Sequence, residues 1–378
     1  MYVVAMTRWT WLVFLFSSVV LTLNMCLIKT LDKNAQQPTK ATSIRGGKDA
    51  HQSSSVSSRS GGQYPLKLAI CVLMKDAENY FEEWLDYHFA MGFDAIYIYD
   101  NSLYFELENW YTNTRNHATF GKVEVIHWLD STTHNQNNAY ADCVKTFGRS
   151  KSGPKNDYFA FIDVDEFLVI LSTKYNDIQG ILVDYLVPYG GALTVNWMIV
   201  GSSNKTVSSP LPITKRNQYR AKEVHNVIKS FAKASDYIRH INPHGVKVRS
   251  PATIHTTKYP GALFKPSSST FASDQERPSD ILLLYHYRYG SNKEYVFKRC
   301  VRGDAIGGKM WCDGNDSIKA DTPDHIQITS GAVFDDAAWQ FLTSRVPKYR
   351  AFDEFEDFHH PTENLGQKRR LGLRSQIE

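Results

Sequence analysis

Two aspartates at the end of an apolar run are the first candidates for chemistry. The segment Tyr158–Phe167 opens with aromatic and β-branched residues, a pattern typical of a strand covered on both faces. Because side chains alternate along an extended chain, Asp163 and Asp165 are predicted to point the same way. Adjacent carboxylates repel each other, and a divalent cation removes that conflict. We therefore predict a metal site at the carboxyl end of a central strand. The alternative is a strand that ends in solvent with exposed acids.

The surrounding sequence predicts the elements that position this pair. Apolar runs with helical patterns between them predict strands at Leu68–Met74, Ala95–Tyr99, Val123–Trp128 and the run leading into Asp163. The first helix is predicted to open at a capping box of Asn79 and Glu82 and to end at Gly92. A second helix is predicted to end at Gly148. No Gly-x-Gly-x-x-Gly follows the first strand, which argues against a dinucleotide-binding fold.

The second half of the chain has a looser pattern. Strands are predicted at Ala192–Val200 and Ile281–Tyr285, and a capping box of Ser291 and Glu294 is predicted to open a helix through Val301. The predicted fold class is α/β, with a mostly parallel central sheet flanked by helices.

Composition limits the class of protein and its partners. With 378 residues, 42% hydrophobic and 22% charged, the chain can bury a substantial core. The net charge of +4 and the pI of about 8.6 are less basic than is typical of a nucleic-acid-binding domain, so no nucleic-acid partner is predicted. Aromatic residues make up 13%, which suits a packed core and also the flat apolar platforms of sugar-binding clefts.

The N-terminal region is predicted to anchor and space the folded domain. Residues 9–28 are mostly apolar and long enough to span a bilayer, and no small-residue cleavage pattern follows, which favours an uncleaved anchor over a signal peptide. Residues 1–8 are then a cytoplasmic tail, and the polar, Ser-rich residues 29–64 a flexible stem. We predict a lumenal domain at 65–350 and a charged tail at 351–378.

Cysteines and glycosylation sequons add two further expectations. The five cysteines have no zinc-site spacing. Cys300 and Cys312 are close enough in sequence to pair in an oxidising compartment, the alternative being two free buried thiols. Sequons at Asn204 and Asn315 fit a lumenal domain.

A series of motifs then gives the chain a family resemblance. In order, they are Lys75-Asp76-Ala77-Glu78, Glu83-Trp84-Leu85-Asp86-Tyr87-His88 with Gly92-Phe93-Asp94, Tyr97-Ile98-Tyr99-Asp100-Asn101-Ser102, Asn135-Gln136-Asn137 with Tyr140-Ala141-Asp142-Cys143, Phe161-Ile162-Asp163-Val164-Asp165-Glu166-Phe167, Trp197 with Gly201-Ser202, His286-Tyr287-Arg288, and Lys298 with Arg302-Gly303-Asp304. Together they resemble glycosyltransferase family 92 and related family 2-like transferases over about Leu66–Ala305. Ser203–Ser279 matches less clearly, and acceptor selectivity is expected there.

The resemblance implies a fold, a reaction and a location. It implies a GT-A fold, with a nucleotide-sugar half at 65–170 and an acceptor half at 171–350. It also implies a nucleotide-sugar donor, a glycan acceptor, inverting transfer, and a divalent cation, usually Mn²⁺ with Mg²⁺ as the alternative. The implied location is the Golgi or a related secretory membrane, with single-pass type II topology.

Site residues follow from the motifs and their chemistry. The metal site is assigned to Asp163, Asp165 and His286; the nucleotide-sugar site to Lys75, Asp100, Asp163, Lys298 and Arg302; and the acceptor site to Trp197 and Gly201.

Several of these residues also have a structural alternative. His286, which stands beside a tyrosine, suits a hydrogen-bonded structural residue as well as a metal ligand. Asp100 suits the start of a turn, and Trp197 suits the core. Lys298 and Arg302 lie one turn apart and could form an exposed helical face instead of a diphosphate site. Glu166 is predicted either to orient the site or to pair with a structural base.

Inverting transfer needs a general base, and the sequence does not select one. Glu223 and His225 are the two candidates in the acceptor half, and the catalytic base stays unassigned. Two other functions stay open. One is a metal-dependent hydrolase of nucleotide sugars or phosphodiesters, and the other is a catalytically inactive, membrane-tethered sugar-binding protein.

Overall fold

The computed structural model describes most of the predicted catalytic domain. The described residues are 66–75, 80–105, 107, 121–129, 132, 135–148, 156–203, 205, 207–261, 277–302 and 333–355. Among them, no helix has both the length and the apolar character needed to cross a bilayer. The predicted cytoplasmic tail, anchor and stem lie outside the described residues, as do both sequon asparagines and most of the C-terminal tail.

The described strands form one large sheet and two small ladders. They are β1 (Leu68–Met74), β2 (Ala95–Asp100), β3 (Lys122–His127), β4 (Tyr158–Phe161), β5 (Glu166–Ile170), β6 (Ala192–Ile199), β7 (Tyr219–Arg220), β8 (Ile228–Lys233), β9 (Tyr237–His240), β10 (Val246–Val248), β11 (Ile254–Thr256), β12 (Leu282–His286) and β13 (Val333–Phe334). The large sheet has the order β3-β2-β1-β4-β8-β6-β12-β5, with β11 beside β6. β9 pairs with β10, and β7 pairs with β13.

Helices confirm three of the predicted boundary signals, among them Gly148, which is the last residue of the predicted second helix. The helices are α1 (Phe81–Met91), α2 (Asn135–Gly148), α3 (Ile178–Tyr185), α4 (Ile213–Arg216), α5 (Asn292–Val296) and α6 (Ala337–Arg345), with a π-helical segment at Phe297–Arg302 and a 3-10 segment at Pro347–Phe352. Gly92 ends α1 in the left-handed region at φ 109°, and the capping box of Ser291 and Glu294 opens α5. Asn79 lies outside the described residues. The helix predicted to continue through Val301 changes to π-helical geometry after Val296.

The sheet is parallel in its first half and mixed in its second. Strands β3, β2, β1 and β4 are all parallel neighbours. β8 then runs antiparallel to both β4 and β6, and β5 runs antiparallel to β12. The prediction of a mostly parallel sheet therefore describes the first half, and the whole is a mixed α/β fold. Periodicity along a buried strand does not reveal its direction, which depends on its partners.

The sheet is strongly curled. β4 and β5 are consecutive in the chain, yet they lie at opposite ends of the run β4-β8-β6-β12-β5. In a flat sheet, four steps of about 4.8 Å would separate them by about 19 Å. The linker Ile162–Asp165 contains a turn closed by a 3.1 Å hydrogen bond from the Glu166 N–H to the Asp163 carbonyl oxygen. Such a linker spans at most about 14 Å, so the sheet curls and the aspartate turn closes the curl.

One edge of this sheet collects the strand ends near the two aspartates. β4 pairs Phe161 with Ser230 of antiparallel β8, and β12 pairs His286 with Ile199 of parallel β6. Antiparallel β5 places Glu166 opposite His286. The carboxyl ends of β4, β6 and β12 therefore meet the amino ends of β8 and β5. Open α/β sheets bind their ligands at such an edge.

A disulfide joins the large sheet to helix α2 beside this edge. Alternate residues of β1 face opposite sides: Ile70 packs in the core cluster that includes α1, and Cys71 packs in the cluster that includes α2. Cys71 is bonded to Cys143 of α2, 72 residues away. The sequence did not predict this pair. Cys300 is also disulfide-bonded, and the predicted partner Cys312 lies outside the described residues.

Candidate active site

The two aspartates lie in a turn, not in an extended strand. β4 ends at Phe161 and β5 begins at Glu166, so the prediction that strand alternation orients Asp163 and Asp165 is wrong. The carboxylate of Glu166 instead folds back and accepts the Asp163 N–H at 2.7 Å. The two aspartates remain close enough to interact electrostatically. The turn, and not the pleat, brings them together.

Asp163 is held by α2 and β8. Its Oδ1 accepts hydrogen bonds from Gln136 Nε2 at 2.7 Å and from the Tyr140 hydroxyl at 3.2 Å. Its Oδ2 accepts from Lys229 Nζ at 2.8 Å, and 31% of the side chain is exposed. Burial opposes ionisation, but the Lys229 ammonium outweighs it and lowers the pKa of Asp163. Asp163 is therefore an ionised carboxylate with one side open to solvent.

Lys229 and Glu166 lie beneath the aspartate turn as a buried pair. The Lys229 side chain is 1% exposed, and its Nζ lies 3.7 Å from Oε2 of Glu166, which is fully buried. Burial disfavours the ammonium, but the carboxylates of Asp163 and Glu166 outweigh it and raise the pKa of Lys229. Burial raises the pKa of Glu166. Both roles predicted for Glu166 are present, since it orients the turn and pairs with a structural base.

Asp165 makes contacts to two other elements. Its Oδ2 bonds His286 Nε2 at 3.2 Å and forms an ion pair with Lys298 Nζ on the π-helical segment. The Asp165 side chain is 4% exposed and that of Lys298 is 22% exposed. Burial opposes ionisation, yet Lys298 and then His286 hold the pKa of Asp165 well below its usual range. The fold thus brings together predicted residues that lie more than a hundred positions apart in the chain.

Trp197 lies among three histidines next to this pair. Its ring centroid lies 4.3 Å from that of His286, 5.1 Å from that of His244 and 5.9 Å from that of His225. The residue is 8% exposed. Most of the ring is therefore packed against imidazoles, and its predicted contact with a sugar stays a prediction.

The sequence profile of glycosyltransferase family 92 matches residues 66–310, a span that contains this whole constellation. The chain belongs to glycosyltransferase family 92. The resemblance predicted from the motifs is confirmed, and the protein is a glycosyltransferase. No curated protein matches the chain. Among solved structures, the crystal structure of HddC from Yersinia pseudotuberculosis is similar over 44% of this chain and 77% of that chain, with 9% identity and a TM-score of 0.26.

The other predicted donor residues of the family 92 enzyme lie on the first parallel strands. Lys75 is exposed directly after β1, and Asp100 ends the neighbouring β2. The Asp100 carboxylate is fully buried and accepts the backbone N–H groups of Ser102 (2.9 Å) and Leu107 (3.4 Å). This is the geometry of the turn-forming alternative, and a donor contact by Asp100 stays a prediction.

Gly201 and Arg302 complete the predicted set. Gly201 is buried just beyond β6, where its carbonyl oxygen accepts from Asn217 Nδ2 at 2.8 Å. Arg302 is the last residue of the π-helical segment, and its side chain lies outside the described part of the structure. The structure therefore brings Asp163, Asp165 and His286 to one point with Lys298, and the role predicted for Arg302 stays a prediction.

The donor atoms suit a divalent cation in type. Carboxylate oxygens of Asp163 and Asp165 with an imidazole nitrogen of His286 are ligands that Mn²⁺ and Mg²⁺ accept. Among the described residues, however, no three His, Cys, Asp or Glu side chains are arranged to hold a metal ion. An ammonium instead contacts Oδ2 of each aspartate, Lys229 on one and Lys298 on the other. Lys298 is the more exposed of the two.

Sequence reasoning missed four residues of this site: Gln136, Tyr140, Lys229 and His244. The first two lie one helical turn apart on α2, and their shared face was a usable signal. Lys229 stands in β8, where Ser230 and Lys233 are also polar, so a lysine there is no signal until the structure shows that it is buried. Nothing in the sequence placed the loop that carries His244 beside Trp197.

Proposed function

We propose that the family 92 enzyme transfers a sugar from a nucleotide-sugar donor to a glycan acceptor with inversion, in a metal-dependent reaction at the aspartate turn. The observation that carries the proposal is the meeting of Asp163 and Asp165 with His286 and Lys298 at the ligand-binding edge of the sheet. Ionised carboxylates beside a partly exposed ammonium suit a site for a cation and a diphosphate.

Each group has a defined task in this proposal. The leaving group is a nucleoside diphosphate, whose negative charge grows as the glycosidic bond breaks. A divalent cation, when bound, supplies Lewis-acid stabilisation of that charge. Lys298 turns from Asp165 to the diphosphate, which its partial exposure permits. Lys229 is buried and stays with Asp163 and Glu166, so it fixes the turn.

We propose a lumenal secretory location, in the Golgi or a related membrane, with residues 9–28 as a type II anchor. The disulfide between Cys71 and Cys143 supports this, because structural disulfides form and persist in oxidising compartments. The apolar composition of residues 9–28 supports the anchor.

Binding and turnover together test the function. UDP, GDP, ADP and CDP are screened by thermal shift with and without MnCl₂ or MgCl₂, because a ligand that binds only the native state raises its stability. UDP-glucose, UDP-galactose, UDP-N-acetylglucosamine, GDP-mannose and GDP-fucose are then assayed for nucleoside diphosphate release, with water, lactose or methyl glycosides as acceptors. We expect one nucleotide to stabilise the protein most when a cation is present, and sugar transfer from its conjugates. Release onto water alone would favour the hydrolase, and no donor turnover would favour the inactive sugar-binding protein.

Lys298→Met is expected to weaken nucleoside diphosphate binding. A hydrogen bond to a charged group contributes about 1.5–3 kcal/mol, which corresponds to a loss of about 10- to 100-fold in affinity. Isothermal titration with the stabilising nucleotide and MnCl₂ measures the change. Lys293→Met is the matched control, because Lys293 lies exposed on the preceding helix α5. Equal affinities for both variants would remove Lys298 from the diphosphate site.

A further inference from the structure

His244 is fixed in the loop between β9 and β10, directly beside the buried lysine of the site. Its backbone N–H donates to Asn242 Oδ1 at 2.9 Å, and its carbonyl oxygen accepts from Ser230 Oγ at 2.9 Å. Its ring nitrogen Nδ1 lies 3.2 Å from the carbonyl oxygen of Ile228. Ile228 and Ser230 flank Lys229 on β8, so these bonds hold the imidazole against the base of the aspartate turn.

The bond to Ile228 determines which ring nitrogen is basic. A carbonyl oxygen can only accept, so Nδ1 of His244 carries the proton. In the neutral imidazole the lone pair is then on Nε2. Among the described residues, no hydrogen bond occupies Nε2. Burial and then the Lys229 ammonium lower the pKa of His244 to about 4, so the ring is neutral at physiological pH. The negative charge of a bound diphosphate would raise the pKa of His244 again.

The two candidates from the sequence lack these properties. Nδ1 of His225 accepts the Val227 N–H at 3.2 Å, so its Nε2 carries the proton and can only donate. Glu223 is exposed on the same loop. His244 instead contacts Trp197, which in turn packs on His286, the partner of Asp165. Of these three side chains, only His244 has both a fixed ring and an available lone pair. Only the Trp197 ring separates it from His286 at the proposed diphosphate site.

We propose that His244 is the general base of the transfer, an inference that rests on the proposed function. The acceptor oxygen forms a bond to the anomeric carbon while the bond from that carbon to the diphosphate oxygen breaks. The electron pair leaves with the nucleoside diphosphate, and the acceptor proton passes to Nε2 of His244. The Ile228 carbonyl stabilises the resulting imidazolium, which later returns its proton to solvent.

His244→Asn tests this role, because the asparagine amide can still donate to Ile228 but offers no basic nitrogen. The probes are the five nucleotide sugars above with MnCl₂, with nucleoside diphosphate release as the readout. We expect kcat to fall by about 10²- to 10⁴-fold, the usual contribution of general base catalysis. KM for the donor and the thermal stabilisation by the nucleoside diphosphate should stay unchanged. Lys247→Asn is the matched control, because Lys247 lies exposed on the adjoining strand β10, and it should keep wild-type kcat. Added imidazole should restore part of the rate to His244→Ala.

The possible outcomes separate the two proposals. A wild-type chain that turns over no donor would overturn the proposed function, and this inference with it. An active wild type with an equally active His244→Asn variant would overturn only the role of His244. If the His244→Asn variant loses both its turnover and its thermal stabilisation by the nucleoside diphosphate, His244 is structural, and this result would also overturn the inference. If His244→Asn does not fold, His244→Gln takes its place in the same comparison.

Discussion

Asp165→Asn is expected to lower sugar transfer by on the order of 10³-fold or more, because it removes an anionic ligand of the cation that is proposed to stabilise the leaving diphosphate. The asparagine keeps the size of the side chain and one oxygen to accept from His286 Nε2, which lies 3.2 Å from Asp165 Oδ2. Lys298 loses its ion pair, but it is 22% exposed and can turn to solvent. Steady-state nucleoside diphosphate release measures the loss, and a thermal melt checks that the fold is retained.

Asp184→Asn is the control for this variant. Asp184 pairs with Lys174 at 2.6 Å on the surface, and both side chains are well exposed. Exposed pairs of this kind contribute about 0–1 kcal/mol, so activity and stability should change little. If Asp165→Asn turned over its donor as fast as Asp184→Asn, the aspartate turn would not be the catalytic site.

Asp163→Asn should also remove activity, but it tests stability at the same time. Its Oδ2 is the closest anion to the buried Lys229. Glu166, whose pKa burial raises in the native enzyme, lies 3.7 Å from the same ammonium. We expect Glu166 to ionise and take over the pairing when the Asp163 charge is removed, so that the variant remains folded. Asp165 is therefore the cleaner test of chemistry.

Cys71→Ala/Cys143→Ala is expected to lower the free energy of unfolding by about 4 kcal/mol, the value for opening a loop of this length. The bond closes a segment of 72 residues and ties β1 to α2. Since α2 carries Gln136 and Tyr140, which hold Asp163, transfer activity should fall at temperatures where the wild type is still active. Urea unfolding of the full chain measures the stability.

Val144→Ala is the matched control for the disulfide variant. Val144 is 2% exposed on the same helix, and its truncation loses packing without opening the loop. We expect it to cost about 1.5 kcal/mol, from two methyl groups at about 0.8 kcal/mol each. Peptide mapping without reduction gives an independent check. Recovery of Cys71 and Cys143 as separate alkylated peptides from protein expressed through the secretory pathway would contradict the bond.

The sequence was sufficient where the signal is local. The strands before Asp163 follow from apolar runs, and Gly92 and the Ser291 capping box mark helix ends, because these features depend on nearest neighbours in the chain. The ordered motifs identified the family. Asp163 and Asp165 were recognised as a pair because two acids so close together carry their own electrostatic conflict, even though the expected strand geometry was wrong.

Only the tertiary structure decided which side chains meet at that pair. Curling of the sheet brings β5 back beside β4, and antiparallel β8 delivers Lys229 from 66 positions away. The hairpin of β9 and β10 sets His244 against Trp197, and α2 is bonded to β1. These contacts depend on strand direction and sheet curvature, which are fixed when apolar faces from distant segments are buried together and not by any periodicity within one segment. The aspartates could therefore be recognised from the sequence. Their counter-ions and the proposed base come together with them only in the folded protein.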